Sequence, residues 1–330
     1  MRQRTRTPRI VLKRIFCVCS VVLLLGNVSP IPATATGSKS VVKKKSKTNR
    51  APVRTQAPHV SATTPKQAQP TDPTTPSPPI TVEGTAGPTT ELPARQTGPF
   101  TTGDISIRNP GAVIDGLRLM GTIYVAANNV TIRNCEITAN EQSNAVIQQD
   151  PGVSGLVVQG CRINGVGLAF TGISAVNKIS VQNSEITGTC DGLSVGSDFT
   201  IENSRLHSFS STDNECHYDG IQILGGKNGI IKHNSVILLQ AQTSAIGLWT
   251  DFGDVSNVSV ENNIVGGGGY TLYLVESEGR HLSHIRFSNN EISQVFSKTG
   301  GYWGAWYPSP ALDVVERSNT RYADGSPVLP

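Results

Sequence analysis

Two aspartates in similar local sequences are the strongest candidates for chemistry in this chain of 330 residues. Asp191 and Asp219 are each followed by glycine and lie 28 residues apart. If the chain repeats with about that period, both carboxylates occupy one position on neighbouring parallel strands, roughly 4.8 Å apart. Carboxylates that close repel, so one holds a proton more tightly. The spacing therefore predicts an exposed catalytic pair for glycoside cleavage, a general acid with a second carboxylate.

The same pair supports two other interpretations. Asp191 and Asp219 could bind calcium, which takes several carboxylate oxygens and is the one cofactor that the sequence suggests. They could equally be turn residues, because aspartate before glycine is a common turn signal. His217, two residues before Asp219, is a candidate for proton transfer in the catalytic interpretation.

Aromatic and amide side chains follow the aspartates and are candidates for substrate binding. Flat rings on an exposed β-sheet can stack on sugar rings. We expect a binding groove formed by Gln222, Trp249, Asp251 and Tyr273. A second aromatic group, within 302–307, is expected to cap the last coil of the fold, as solenoids need.

These residues belong to a repeating pattern of short strands with alternating apolar and polar positions, typical of half-buried β-structure. Equivalent positions are 18 to 30 residues apart: Leu117, Cys135, Cys161, Ser184, Ser204, Asn234, Asn263 and Asn290. A second column has similar steps: Ala145, Gly172, Gly192, Gly220, Ala245 and Thr271. Fixed strands joined by loops of variable length predict a solenoid.

One further column consists of asparagines, namely Asn134, Asn183, Asn203, Asn262 and Asn289. Asparagine tolerates left-handed turn geometry, and stacked side-chain amides can hydrogen-bond to one another. The asparagine column therefore predicts turns stacked along the solenoid.

With these columns, the region from about 105 to 292 resembles the pectin-lyase-like superfamily. The resemblance implies an all-β fold, a right-handed parallel β-helix built as a single-stranded solenoid. Thr189-Cys-Asp-Gly192 is similar to the Asn-Thr-Asp-Gly turn of polygalacturonase-type glycosidases. The chain departs from that group in having no Gly-Asp-Asp-Cys, Gly-His-Gly or Arg-Ile-Lys. Pectate lyases of this fold use calcium and an arginine or lysine base.

Four cysteines lie in the repeat region. Cys135 and Cys161 share one column, and Cys190 and Cys216 are likewise 26 residues apart. An even count in an exported protein predicts two disulfides, Cys135–Cys161 and Cys190–Cys216. The alternative for Cys135 and Cys161 is a pair of small, reduced core side chains.

Three segments are predicted along the chain. Residues 1–35 combine a basic leader, a short apolar run and small residues at a cleavage site, which is typical of a signal peptide; an uncleaved membrane anchor is the alternative. Residues 36–97 are a Thr-, Pro- and Lys-rich linker that we expect to be disordered. Residues 98–330 form the β-helix domain.

Charge is divided unevenly between these segments. Residues 1–100 hold 15 Lys and Arg against 3 Asp and Glu, whereas residues 101–330 hold 13 against 21. An acidic domain argues against nucleic acid as a partner, because nucleic-acid binding needs clustered cations. The basic linker could contact an anionic cell envelope, although a solvated tether is the simpler interpretation.

Together these features predict a monomeric protein that is secreted or held at the cell surface and has a polysaccharide as its partner. We expect a polysaccharide lyase or glycoside hydrolase. The alternative is a non-catalytic cell-surface or carbohydrate-binding protein, since one architecture hosts many functions.

Overall fold

The computed structural model describes residues 95–328, without the side chain of Val314. The predicted signal peptide, and the linker up to residue 94, lie outside the described residues. Within the described part, no helix has both the length and the apolar character needed to cross a membrane.

The described residues form short β-strands and one 3-10 helix, Pro310–Val314. In chain order the strands are β1 (Thr101–Thr102), β2 (Ile105–Ile107), β3 (Val113–Asp115), β4 (Arg118–Met120), β5 (Ile123–Val125), β6 (Thr131–Arg133), β7 (Glu136–Thr138), β8 (Ser143–Gln149), β9 (Leu156–Gln159), β10 (Arg162–Asn164), β11 (Ala169–Gln182), β12 (Glu185–Thr187), β13 (Asp191–Glu202), β14 (Arg205–Leu206), β15 (Ile221–Ile223), β16 (Gly226–Lys232), β17 (Ser235–Ile237), β18 (Ile246–Trp249), β19 (Val255–Glu261), β20 (Ile264–Gly266), β21 (Tyr270–Val275), β22 (Leu282–Ser288), β23 (Glu291–Ile292), β24 (Gly304–Trp306), β25 (Val315–Ser318) and β26 (Arg321–Tyr322).

The strands stack into a parallel β-solenoid with three faces, as the repeat predicts. Face A is the ten-stranded sheet β1-β4-β7-β10-β12-β14-β17-β20-β23-β26. Face B is the stack β2-β5-β8-β11-β13-β15-β18-β21-β24, and face C is the stack β3-β6-β9-β11-β13-β16-β19-β22-β25. The long strands β11 and β13 belong to both B and C because each continues across the shared corner.

The first predicted column is confirmed in register. Pairing of Arg162 with Glu136 and with Glu185 places Cys135, Cys161 and Ser184 on successive coils. The column then runs through the buried Asn234, Asn263 and Asn290.

The asparagine corners are confirmed, but the amide ladder lies one residue further along the chain. Asn134, Asn183, Asn203, Asn262 and Asn289 all have positive φ, between 48° and 55°. The stacked amides belong to the next column, where the Oδ1 of Asn263 accepts from the backbone N–H of Asn234 at 2.9 Å and the Oδ1 of Asn290 accepts from that of Asn263 at 3.0 Å. The corner asparagine turns the chain, and the residue after it points into the core.

The second column is confirmed except for its first member. Gly172, Gly192, Gly220, Ala245 and Thr271 are in register. Thr171, however, pairs with Ala145, so the partner of Gly172 is Val146. The prediction failed there because Ala145, Val146 and Ile147 are all fully buried and give no alternation from which to set the register.

Of the two predicted disulfides, Cys190–Cys216 is present and Cys135–Cys161 is not. Cys135 and Cys161 are buried free thiols in one column, as the alternative held. In-register positions on parallel strands have parallel Cα–Cβ bonds, which keep the Cβ atoms about 4.8 Å apart. A disulfide needs Cβ atoms roughly 3.8 Å apart. A hydrogen bond with Cys135, and then burial, raise the pKa of the Cys161 thiol.

Candidate functional site

Asp191 and Asp219 lie on adjacent coils in one column, as the spacing predicts. Asp191 opens β13, and Asp219 lies two residues before β15, whose Ile221 pairs with Leu193 of β13. The glycine after Asp191 points toward the core: a Cβ on Gly192 would lie 2.7 Å from Leu206 Cδ2 and 2.4 Å from the Gly220 oxygen. The Asp191 carboxylate accepts a hydrogen bond from Gln222, which lies between the core residues Ile221 and Ile223 and so faces the outer side of face B.

Both aspartates are buried, which corrects the expectation of an exposed pair: Asp191 is 3% exposed and Asp219 is 7% exposed. Asp191 Oδ1 accepts from the Asp219 backbone N–H at 3.0 Å, and its Oδ2 accepts from Gln222 Nε2 at 2.5 Å. Asp219 Oδ1 accepts from the Ser244 hydroxyl at 2.9 Å. Gln222 thus contacts the pair directly, as its place in the predicted groove requires.

Burial changes the acidity of this pair. Loss of hydration raises the pKa of Asp191 to about 7. Burial, and then the negative charge of Asp191, raise the pKa of Asp219 well above its usual value. Both shifts favour the protonated carboxyl, which is the form that a general acid needs.

The disulfide stabilises the two segments that lead into the aspartates. Cys190 immediately precedes Asp191, and Cys216 lies three residues before Asp219. Their Cα atoms are 5.7 Å apart. The bridge fixes the chain at the point where both carboxylates enter face B.

Two candidate residues do not join the pair. The His217 side chain is exposed, and within the described residues its imidazole hydrogen-bonds to neither aspartate. Its backbone oxygen instead accepts from Thr243 Oγ1. Asp251 is exposed, and its Oδ1 accepts from the Ser277 hydroxyl at 2.7 Å. Proximity along the chain did not bring these side chains together, because both lie in loops.

Trp249 and Tyr273 belong to a larger cluster of six rings, here called the aromatic face. The ring centroids of Trp249 and Tyr273 are 6.0 Å apart, and Tyr307 stacks on Tyr273 at 4.7 Å. The remaining members are Tyr270, Tyr302 and Trp303, each with a ring centroid within 5.7 Å of another member. Tyr273 lies between the core residues Leu272 and Leu274, so its ring is on the outer side of face B.

The predicted cap is therefore correct only for Trp306. Trp306 is buried and packs on the core residue Phe287 with centroids 5.1 Å apart. Its neighbours Tyr302, Trp303 and Tyr307 extend the aromatic face instead. The sequence could have predicted this division for Trp306 and Tyr307. The two residues are adjacent in an extended segment, so their side chains must face opposite sides.

A glycine allows the Trp249 ring to lie flat on the sheet. A Cβ on Gly247 would lie 1.8 Å from Trp249 Cη2, so the indole covers the position where that side chain would be. One face of the indole packs on backbone, which leaves the other face directed outward. A half-buried ring held flat in this way suits stacking on a planar or sugar ring.

Tyr273 connects the aromatic face to the carboxylate pair. Burial, the neighbouring Tyr270 and Tyr307, and lastly the charge of Asp219 raise the pKa of Tyr273 to about 12. Its hydroxyl therefore stays protonated and able to donate a hydrogen bond. In the sheet, Gln222, Gly247 and Tyr273 are in register on successive coils, so the aromatic face lies beside the Asp191 partner Gln222.

The described residues do not fit a calcium ion well. No group of three or more His, Cys, Asp or Glu among them is placed to hold a metal. Calcium takes six to eight oxygens, whereas three of the four carboxylate oxygens of the pair already accept hydrogen bonds.

Comparison with known proteins gives a likeness in fold. No family model matches the chain, and no curated protein is similar to it. Among solved structures, the catalytic domain of a GH87 alpha-1,3-glucanase in complex with nigerose is similar at 13% identity and a TM-score of 0.36, covering 68% of this chain and 54% of that one. A variant of such a domain, also in complex with nigerose, is similar at 14% identity and a TM-score of 0.35. The chain spans about half the length of these neighbours.

Proposed function

We propose that this protein is an extracellular carbohydrate-active protein whose aromatic face binds a polysaccharide. The observation that carries the proposal is the aromatic face itself, six contacting rings on and beside the last strands of face B. Monomeric proteins expose large apolar patches mainly at sites of interaction, and rings with a polar edge suit sugars. The disulfide is consistent with export. The handedness and superfamily that we propose are those of right-handed, pectin-lyase-like β-helices.

A second candidate function, glycoside hydrolysis, is favoured by the carboxylate pair beside the aromatic face. In this proposal the protonated carboxyl of the pair donates its proton to the glycosidic oxygen. The ionised partner then acts as base or nucleophile, as in two-carboxylate glycosidases. In this proposal Asp219 is the acid, because the negative charge of an ionised Asp191 adds to burial in raising its pKa, and Asp191 is the ionised partner.

Hydrolysis is favoured over elimination. A lyase needs a base, commonly a free arginine or lysine, beside the sugar. The two candidates for such a base are Arg280 and Lys232. The Arg280 guanidinium donates to the backbone oxygens of Thr250 and Asp251, and Lys232 pairs with Glu202 at 2.9 Å, so each is engaged in another contact.

The test is a degradation screen over polysaccharides, read by new reducing ends and by the ultraviolet absorbance of unsaturated products. We expect reducing ends without ultraviolet absorbance. Asp219→Asn should lower turnover by about 10²- to 10⁴-fold, because a general acid contributes that much. Asp198→Asn, at an exposed carboxyl outside the site, is the control. Binding without cleavage would refute the hydrolase and leave a binding protein.

A further inference from the structure

Face B differs from the other two faces in charge. In the described segments whose residues pair within face B no Lys, Arg or His occurs, and the one charged residue is Asp191. Lys178 and Lys227 lie on the parts of the chain that continue into face C, and Lys298 lies in the exposed loop before Trp303.

Faces A and C carry ion pairs between coils. On face A, Arg118 pairs with Glu136 at 3.1 Å, and Arg162 pairs with Glu185 on the coils that follow. On face C, Lys232 pairs with Glu202 at 2.9 Å. Among the described residues, ion pairs between strands thus lie on faces A and C, whereas the paired segments of face B carry no basic residue and only the carboxylate of Asp191.

The outer side of face B has a continuous floor of uncharged side chains. Successive coils present one in-register column: Tyr124, Gln148, Ser174, Ser194, Gln222, Gly247 and Tyr273. At about 4.8 Å per coil, the six intervals from Tyr124 to Tyr273 span roughly 29 Å. Tyr124 is half-buried and provides an aromatic ring at the far end from the aromatic face.

We propose that an uncharged glycan chain lies along face B, parallel to the solenoid axis, from the aromatic face across Gln222, Ser194 and Ser174 to Tyr124. This inference rests on the proposed function and names its ligand class. Burying an anionic sugar without a cation to pair with it is unfavourable. The carboxylate of Asp191 would also repel it. Hydroxyl and amide groups instead match the hydroxyls of neutral sugars.

Calorimetry of the full chain with polysaccharides and oligosaccharides tests the neutral ligand and its path. The neutral ligands are soluble glucans, xylans and mannans, and the anionic polymers compared with them are polygalacturonate and alginate. We expect binding to at least one neutral polymer and none to either polyuronate. Tyr124→Ala should weaken the binding of a long neutral oligosaccharide by about threefold to tenfold. The same substitution should leave the binding of a disaccharide or trisaccharide unchanged. Ser194→Arg should weaken the long ligand too.

The matched control is Thr200→Arg, which places the same side chain on the same strand but on face C. Equal effects of Ser194→Arg and Thr200→Arg, or no effect of Tyr124→Ala, would overturn the path along face B. Binding to polyuronates alone would overturn the neutral ligand and leave the proposed function intact. A chain that binds no polysaccharide would overturn both.

Discussion

At the scale of single residues, burial determines what the aspartate pair can do. Both carboxylates are buried: Gln222 contacts that of Asp191, and the buried Ser244 contacts that of Asp219. Their raised pKa values follow from that burial more than from mutual repulsion, since burial is the first cause for each. A site that keeps a proton at neutral pH is also one that costs folding stability when the proton leaves.

The pair therefore predicts stability that falls as pH rises. A folded-state pKa above the unfolded value of about 3.9 means that the native state binds more protons between the two values. The free energy of unfolding should then decrease from about pH 4 to pH 7, by at most about 4 kcal/mol for Asp191, whose folded pKa is about 7. Asp219→Asn removes one carboxylate and should stabilise the protein at pH 8 by on the order of 1 to 3 kcal/mol.

Urea unfolding of the wild type, Asp219→Asn and the exposed control Asp198→Asn across pH 4 to 8 measures this. At pH 4 the two variants should differ from the wild type by the same free energy of unfolding. Above pH 4 these two differences should diverge. Asp219→Asn and Asp198→Asn showing the same pH profile would contradict burial as the cause.

At the scale of elements, the amide ladder accounts for the register of the later coils. Asn234, Asn263 and Asn290 are buried and satisfy one another and the backbone across the coils. Asn263 Nδ2 also donates to the Ile231 oxygen at 2.9 Å. Such a ladder is favourable only when every member is paired, so each amide fixes its neighbour.

Asn263→Ala should therefore destabilise the protein by about 2 to 5 kcal/mol, because it leaves the buried Asn234 N–H without its acceptor. Chemical denaturation measures the change. Asn144→Ala, at an exposed asparagine in a strand, should stay within about 0.5 kcal/mol of the wild type. A loss for Asn263→Ala no larger than that for Asn144→Ala would show that the ladder contributes nothing.

Particular residues show how far the sequence predicts these elements. In the first column, polar residues alternate with the core positions, and this alternation gave the correct register from Cys135 to Asn290. The run Ala145-Val146-Ile147 had no polar position, and the register there was wrong by one residue. The predicted disulfide between Cys135 and Cys161 is absent for a different reason, because in-register positions have parallel Cα–Cβ bonds that keep the Cβ atoms too far apart for a disulfide.

At the scale of the whole molecule, the three faces divide the roles. Faces A and C carry the ion pairs, and face B carries the aspartates and the aromatic face. Asp191, Asp219 and Gln222 were predicted as one site because the repeat period itself brings them together. Tyr302, Trp303 and Tyr307 were not, since a loop of unpredictable path separates them from Tyr273.

The central claim is that the aromatic face binds polysaccharide, and calorimetric titration of ring-truncated variants with soluble neutral polysaccharides tests it most directly. Trp249→Ala and Tyr273→Ala should each weaken polysaccharide binding by about tenfold. Both variants should remain folded at 25 °C. Phe100→Ala, at an aromatic residue that contacts Arg118 near the other end of the solenoid, should bind as the wild type does. Wild-type affinity in both Trp249→Ala and Tyr273→Ala would contradict the account.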